Sequence, residues 1–527
     1  MTRRRPSRPL SATSTVAALF CAVPFCAALL CAALSLVLTG TAEAQEAASP
    51  CQGPLDRLAT RYELDPATQA AFQAVYEGLQ PLPPGYWYHG SSANPWASAG
   101  DGEGLKDAVI AFYAEVCTLL PQIIGTNDNA LDSIQYFAWF YFRNDAGRDF
   151  VEGIDPNDPT QRLNSMQTFL IEFNRQYKAF MNSPSSTGKV AEWIADPRIE
   201  IQDYVLERPS DYASWNAFFA RELKQIDGVY PSRPVTMPNR DYVIVSPTDC
   251  IMNPLVQPIV TKTGEVKRAL IENPLQRDTV LDVKGIPMSI DAMLANAPEE
   301  LKKQFDGGSG LACVLMPNTY HHFHSPVDGT LLYAEIVEAA TNPYAFGTFG
   351  YSDWPNWVPL DGNVGRPGTD FSQFEGFQRG VLIVEVQYKN LPGLKPAMLT
   401  GLVASIPVGL DTVGSVVFAD GILEGAKNRM PVRKGITEFG NFYFGGSLNI
   451  LLFSPVQGLG PDGKTFDAQM VSPAVQTRMG NQIGILNTPY PAPPTPWTPN
   501  TGRTKDRPIL HGERASTATP AEQSPRR

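Results

Sequence analysis

At 527 residues, with 43% hydrophobic and 18% charged side chains, the chain has room for roughly two to four domains and a large core. It carries 42 Lys and Arg against 53 Asp and Glu, a net charge of -11. That balance disfavours nucleic acid as a partner, because phosphates reward clustered cations, and it disfavours simple electrostatic adhesion to anionic lipid.

Residues 1–44 read as a targeting segment. Arg3-Arg4-Arg5 precede an apolar run from Val16 to Leu38, and Thr39-Gly40-Thr41-Ala42-Glu43-Ala44 supplies a small-x-small cleavage site. A cleaved export signal, with a mature N-terminus at Gln45, is the first reading. The second is an uncleaved anchor, since the run is long enough to span a bilayer. Both place the rest of the chain outside the cytoplasm, in a periplasmic or other extracytoplasmic space, and the second adds membrane association. Without the four arginines and one glutamate of this segment the charge is 38 against 52, a net of -14.

Seven cysteines are present, and Cys21, Cys26 and Cys31 lie in that segment. The remaining Cys51, Cys117, Cys250 and Cys313 allow two disulfides by any of three pairings. For Cys250 and Cys313 a buried free thiol is the competing reading. No CxxC pair occurs, so a structural zinc site is not expected.

Residues 45–225 are expected to form a helical N-terminal domain. Leu105, Val109, Phe112, Val116 and Leu119 recur at helical spacing, and so do Met166, Phe169, Phe173, Tyr177 and Phe180. Ile134 to Phe142 is densely aromatic and reads as a core helix. Asn182 to Gly188, rich in Ser, Pro and Gly, marks a loop. From 226 to 489 the texture changes to short β-branched runs: Tyr242–Val245, Cys313–Met316, Val381–Val386, Val413–Phe418 and Leu448–Phe453. These predict a mostly-β domain with a few helices, one of them over Ser289 to Lys303. Residues 490–527, rich in Pro and Thr, are expected to be a disordered tail. The fold class expected is α+β, a helical region packed on a mostly-β catalytic domain.

Histidine is scarce, at five residues, and three fall in Tyr320-His321-His322-Phe323-His324-Ser325-Pro326. A metal site is disfavoured because no HExxH-type partner motif accompanies them. Catalysis is an open reading, since imidazole titrates near neutral pH. Two further segments bear on it. Ser246-Pro247-Thr248-Asp249 is a strand running into a turn with one carboxylate. Gly445-Gly446-Ser447 closes a glycine-punctuated approach and opens an apolar strand. A serine there, with a histidine base and an orienting aspartate, has the parts of a nucleophile triad; a glycine bulge before a core strand is the bland alternative.

Together, and in this order, the three segments resemble the phosphatidylserine decarboxylase family, with its S-P-x-D-G turn, Y-H-R-x-H-x-P segment and G-S-T cleavage motif. Ser214-Trp215-Asn216-Ala217-Phe218-Phe219-Ala220-Arg221-Glu222-Leu223 resembles the family's aromatic helix. Val408-Gly409, Val413-Gly414-Ser415, Lys434-Gly435 and Glu438-Phe439-Gly440 resemble its glycine-rich strands. The likeness runs from Ser214 to Pro455. Cys250, His322 and Leu448 stand where the family has glycine, arginine and threonine.

The resemblance implies a self-processing lyase with a pyruvoyl cofactor. The Ser447 hydroxyl would attack the Gly446 carbonyl to give an ester. β-Elimination would then release the upstream chain, and the dehydroalanine left behind would hydrolyse to a pyruvoyl group. It implies two partnered fragments, a large chain ending at Gly446 and a small one starting at position 447. His324, oriented by Asp249, is the expected base for the hydroxyl, and His321 the expected group for proton transfer during decarboxylation. His322 is read as a solvated bystander. The implied substrate is phosphatidylserine, converted to phosphatidylethanolamine and CO2. The length and aromatic character of the helical half resemble the subgroup that acts on free aromatic amino acids, so an amino-acid substrate stands as the alternative. A third reading, an unprocessed non-catalytic binding module, would leave an intact chain on a denaturing gel.

Overall fold

The computed structural model describes residues 49–486, apart from 83–90, 122–131, 142–143, 152–159, 161, 261–265, 272–273, 284–285, 338–377, 390–398, 410–415, 444–446, 457–467 and 471–474. The targeting segment, the Pro-rich tail and Gly446 therefore lie outside the described residues. The described residues belong to one compact unit.

The N-terminal part is helical: α1 (Gln52–Leu64), α2 (Pro66–Gly78), α3 (Gly102–Val116), α4 (Asp132–Tyr141), α5 (Asp145–Val151), α6 (Ser165–Met181), α7 (Val190–Ala195) and α8 (Trp215–Phe219). Local chemistry sets their starts. Asp101 accepts from the Gly104 amide at the head of α3, and Asn164 forms a reciprocal capping box with Gln167 at the head of α6. The aromatic helix α4 is core: Phe137, Trp139, Phe140 and Tyr141 are buried. A disulfide joins Cys51 to Cys117, while Cys250 and Cys313 are buried free thiols, so one bridge forms rather than two. No helix among the described residues is long and apolar enough to cross a membrane.

Residues 196–214 depart from the helical expectation. They form short 3-10 turns and an extended stretch in which Tyr204 bridges Leu223 antiparallel. The predicted helix over Ser289–Lys303 is broken into α9 (Ile290–Met293) and α10 (Glu299–Lys302). Ala295 takes a left-handed backbone and Pro298 lacks the amide that would continue the helix.

The β part begins with β1 (Val243–Val245), β2 (Cys250–Pro254) and two hairpins, β3 (Val256–Val260) with β4 (Val266–Leu270) and β5 (Val280–Val283) with β6 (Ile286–Ser289). It continues with β7 (Ser309–Leu315), β8 (His322–His324), β9 (Gly329–Val337), β10 (Arg379–Tyr388), β11 (Leu399–Gly409) and β12 (Val416–Phe418). Helix α11 (Ile422–Lys427) precedes β13 (Pro431–Val432), β14 (Glu438–Phe442), β15 (Ser447–Phe453), β16 (Ala468–Met470), β17 (Val475–Thr477) and β18 (Gln482–Leu486). An 8-stranded antiparallel sheet runs β13-β9-β10-β11-β15-β7-β2-β17. Two 3-stranded sheets, β1-β18-β16 and β12-β14-β8, accompany it.

The large sheet is covered on both faces. Leu448, Ile450 and Leu452 of β15 share one hydrophobic cluster with helix residues such as Val109, Phe169 and Trp193. Leu451 and Phe453 instead join Phe323, Phe439 and Phe442 of the small sheet. Side chains alternate along a strand, so Ser447 shares the face of Leu451 and Phe453, toward β8 and β14. The histidines come from that side.

Candidate active site

Three segments far apart in sequence are stitched together by main-chain hydrogen bonds. The Ser246–Asp249 turn is tied to the histidine segment by Val245 N–H to Pro326 O (3.0 Å) and His324 N–H to Pro247 O (2.8 Å). The Thr248 hydroxyl adds a bond to Tyr320 O (3.3 Å). On the other side, β14 pairs with β8 and the Phe442 amide donates to His321 O (2.8 Å). Strand β15 lies between β11 and β7, with Ser447 opposite Gly409 and Leu315. The serine thus opens the central strand of the sheet, and the histidine segment is clamped above it.

His321 meets the serine. Its Nδ1 is 3.3 Å from Ser447 Oγ, and both residues are buried. Its Nε2 faces two carbonyl oxygens, Met316 O at 3.1 Å and Pro317 O at 3.3 Å. Carbonyls only accept, so Nε2 carries the proton and Nδ1 offers its lone pair to the serine hydroxyl. Burial, reinforced by the nearby Arg221 cation, pushes the His321 pKa down to about 3. The ring stacks on Phe219, with centroids 3.8 Å apart. A neutral imidazole aimed at a buried hydroxyl is a proton acceptor in waiting.

The expected Asp249–His324–Ser447 relay is not assembled. His324 Nε2 contacts the Tyr320 hydroxyl at 2.9 Å, and burial lowers its pKa to about 4, against the opposing pull of Glu438. Asp249 is engaged elsewhere. Arg233 Nε and Nη2 donate to both its oxygens at 2.7–3.0 Å, and the Met479 amide adds a bond of 2.8 Å. Asp203 and Glu200 also face Arg233, at 3.1 and 3.7 Å. Burial works against the Arg233 charge, but Asp249 more than offsets it and holds the guanidinium above its usual range. A carboxylate buried beside this segment needs a cation, and Arg233 supplies it more fully than an imidazole could.

His322 is not solvated. It is buried, with Nδ1 2.7 Å from Glu438 Oε1 and Nε2 3.0 Å from Ala220 O. Burial would raise the Glu438 pKa, but the hydrogen bond with His322 brings it below the usual carboxylate range. Sequence reasoning also missed Arg233 and Tyr320 as partners, and gave Arg221 no role. Nothing local marks these contacts; the only signal was that a buried Asp249 must find a cation.

A family model described as phosphatidylserine decarboxylase matches residues 215–485, just over half of the chain. The chain belongs to the phosphatidylserine decarboxylase family. It is 28% identical over 278 residues to the phosphatidylserine decarboxylase proenzyme of Fusobacterium nucleatum subsp. nucleatum, covering 53% of this chain and 71% of that protein. It is 28% identical over 281 residues to decarboxylase iboD of Amanita muscaria, covering 51% and 68% respectively. With the phosphatidylserine decarboxylase proenzyme of Shewanella denitrificans it shares 25% identity over 307 residues, 56% of this chain and 86% of the relative. The protein is therefore a carboxy-lyase, as membership of this decarboxylase family implies. The family match begins at Trp215, in the aromatic helix α8, and takes in the turn, the histidine segment and the Ser447 strand.

Proposed function

We propose that this decarboxylase is made as a proenzyme that cuts itself between Gly446 and Ser447, carries a pyruvoyl group at position 447, and converts phosphatidylserine to phosphatidylethanolamine and CO2. The observation that carries the reading is the 3.3 Å contact of Ser447 Oγ with the unprotonated Nδ1 of His321 at the head of a buried strand. The position fits its proposed fate: a hydroxyl at a strand's first residue, beside a neutral base and after two glycines in sequence. Once formed, a pyruvoyl group supplies an electron-poor carbonyl that captures a primary amine and draws off the electrons left by departing CO2.

His321 does the proton work at this position. A substrate ammonium must lose a proton before its nitrogen can attack a carbonyl, and Nδ1 is placed to accept it. The imidazolium so formed can return a proton to the α-carbon after CO2 leaves. The Nε2 proton, fixed on Met316 O and Pro317 O, keeps the ring in the working tautomer through both transfers. His324, the base expected for cleavage, is held on the Tyr320 hydroxyl, and the imidazole in contact with Ser447 Oγ before the cut is that of His321.

Cutting after residue 446 would leave the small fragment anchored. Its strand β15 is bonded on both sides, β17 pairs with β2, and β18 pairs with β1. Export fits the same reading. A pyruvoyl group forms from the chain itself, and the Cys51–Cys117 disulfide suits an oxidising compartment. The membrane holding the lipid substrate is then the expected neighbour, by way of the N-terminal segment.

Mass spectrometry of the denatured protein, paired with CO2 release from phosphatidylserine, serine and tryptophan assayed separately, tests the proposal. The parent should give two chains split at 446/447 and Ser447→Ala one intact chain with no CO2 release. Two chains from Ser447→Ala would sink the assignment of the cleavage site. CO2 from tryptophan alone would replace the lipid with a free aromatic amino acid.

A further inference from the structure

The aromatic segment before the β part does more than fill the core. Three consecutive residues after Phe218 each take hold of the histidine segment. Phe219 lies under the His321 ring. The Ala220 carbonyl faces His322 Nε2 at 3.0 Å. Arg221 Nη2 donates to both Asn318 O and Thr319 O at 3.0 Å, on the turn that delivers Tyr320 and His321.

Arg221 is a buried cation held by backbone carbonyls and aromatic rings. It is 2% exposed, and among the described residues its hydrogen bonds go to the carbonyls of Phe218, Asn318 and Thr319 and to no carboxylate. Its guanidinium lies over the Tyr204 ring at 4.5 Å and the Phe218 ring at 5.0 Å, and its Nε has no hydrogen-bond partner. Burying a cation without a carboxylate is costly even where carbonyls and ring faces take up part of its charge, whereas a neutral side chain could fill the same space without that cost. The charge therefore needs a purpose, and the group it stands beside is His321.

We infer that Arg221 is the positioning residue of His321, fixing the 316–320 turn so that Nδ1 points at position 447. One nitrogen, Nη2, reaches two successive carbonyls while the guanidinium plane lies over the Tyr204 and Phe218 rings, a stacked placement that a compact ammonium does not reproduce. The Nε2 acceptors Met316 O and Pro317 O belong to the same turn, so the tautomer of His321 depends on the turn that Arg221 holds. The charged or titratable groups facing His321 are Arg221 from the segment after α8 and His322 from β8, itself paired with Glu438 of β14. Among these, Arg221 has no counter-charge.

The inference rests on the reading that His321 works at a cut Ser447, and the test separates the two. Parent, Arg221→Met and Arg221→Lys are purified, the cut fraction is measured by mass spectrometry, and CO2 release per cut chain is followed across a pH series with the substrate the parent uses. Arg221→Met should fall about 100-fold, the scale of a misplaced catalytic group. Its acid limb should move up by about one pH unit, because His321 loses the cation that keeps it deprotonated. Arg221→Lys should keep the parent's acid limb and lose about tenfold in rate, since the charge stays and the planar group stacked on Tyr204 and Phe218 is gone. If Arg221→Met does not fold, the lysine variant decides alone. Parent-like rates in either variant, or an unmoved acid limb in Arg221→Met, would overturn the inference. A parent that stays in one piece would instead overturn the reading beneath it.

Discussion

The two ends of the Tyr320–His324 segment stand in opposite surroundings. Toward Ser447, His321 is bounded by backbone carbonyls, the Phe219 ring and the Arg221 cation. No carboxylate hydrogen-bonds to it among the described residues. Toward Asp249, three carboxylates converge on Arg233, and Glu200 reaches on to Arg478 at 2.7 Å. One end keeps a neutral ring with an open lone pair; the other is a closed ion cluster tying residues 200–203, 233, 249 and 478–479 together. Low local polarity makes each arrangement effective and makes each intolerant of a lost partner. The contrast separates the group that works at position 447 from the groups that hold the site in shape.

Breaking the ion cluster should have the largest effect on stability. Arg233→Met leaves Asp249 buried without a cation, and removing one partner of a buried pair costs about 3–5 kcal/mol. In the Ser447→Ala background, where the chain stays whole, this should appear as a lower urea midpoint with an unchanged slope. A midpoint equal to the parent's would deny the cluster its structural part.

Acid sharpens the comparison from the other end. His321 and His324 have folded-state pKa values of about 3 and 4, below the ordinary 6.5. As pH falls below about 6.5 the unfolded chain takes up protons that the folded chain refuses, so stability should drop from pH 6.5 to about 4 for His324 and to about 3 for His321. His324→Gln should flatten that part of the curve of urea midpoint against pH. A slope identical to the parent's would mean that His324 is not held neutral in the folded protein.

Much of this was legible in the sequence. The strands at Val381–Val386 and Leu448–Phe453 are runs of β-branched and apolar residues because the large sheet is buried on both faces. The helical half shows its 3.6-residue period because each helix buries one stripe. The order of the turn, histidine and serine motifs located the site, where His321 meets Ser447 while His324 lies on the Tyr320 hydroxyl and Asp249 on Arg233. Pairing was not legible. Which histidine faces the serine depends on register between β8, β14 and β15, and His321 and His324 differ only by where three residues of strand carry them. Arg233 and Glu438 lie 16 and 116 residues from the groups they bind. Cys250 and Cys313 sit on adjacent strands in a shared apolar cluster, where burial raises the Cys250 thiol well above its usual range. Counting cysteines could not distinguish that site from a bridge.

The assignment of proton transfer to His321 is tested most directly by CO2 release per cut chain in His321→Ala and His324→Ala, with the cut fraction measured on the same samples by mass spectrometry. General acid–base catalysis by a positioned side chain is worth about 10²–10⁴-fold. His321→Ala should lose at least about 100-fold per cut chain, while His324→Ala, whatever fraction of it is cut, should stay within about threefold of the parent. The opposite pattern, His321→Ala turning over at the parent rate and His324→Ala silent once cut, would contradict the account.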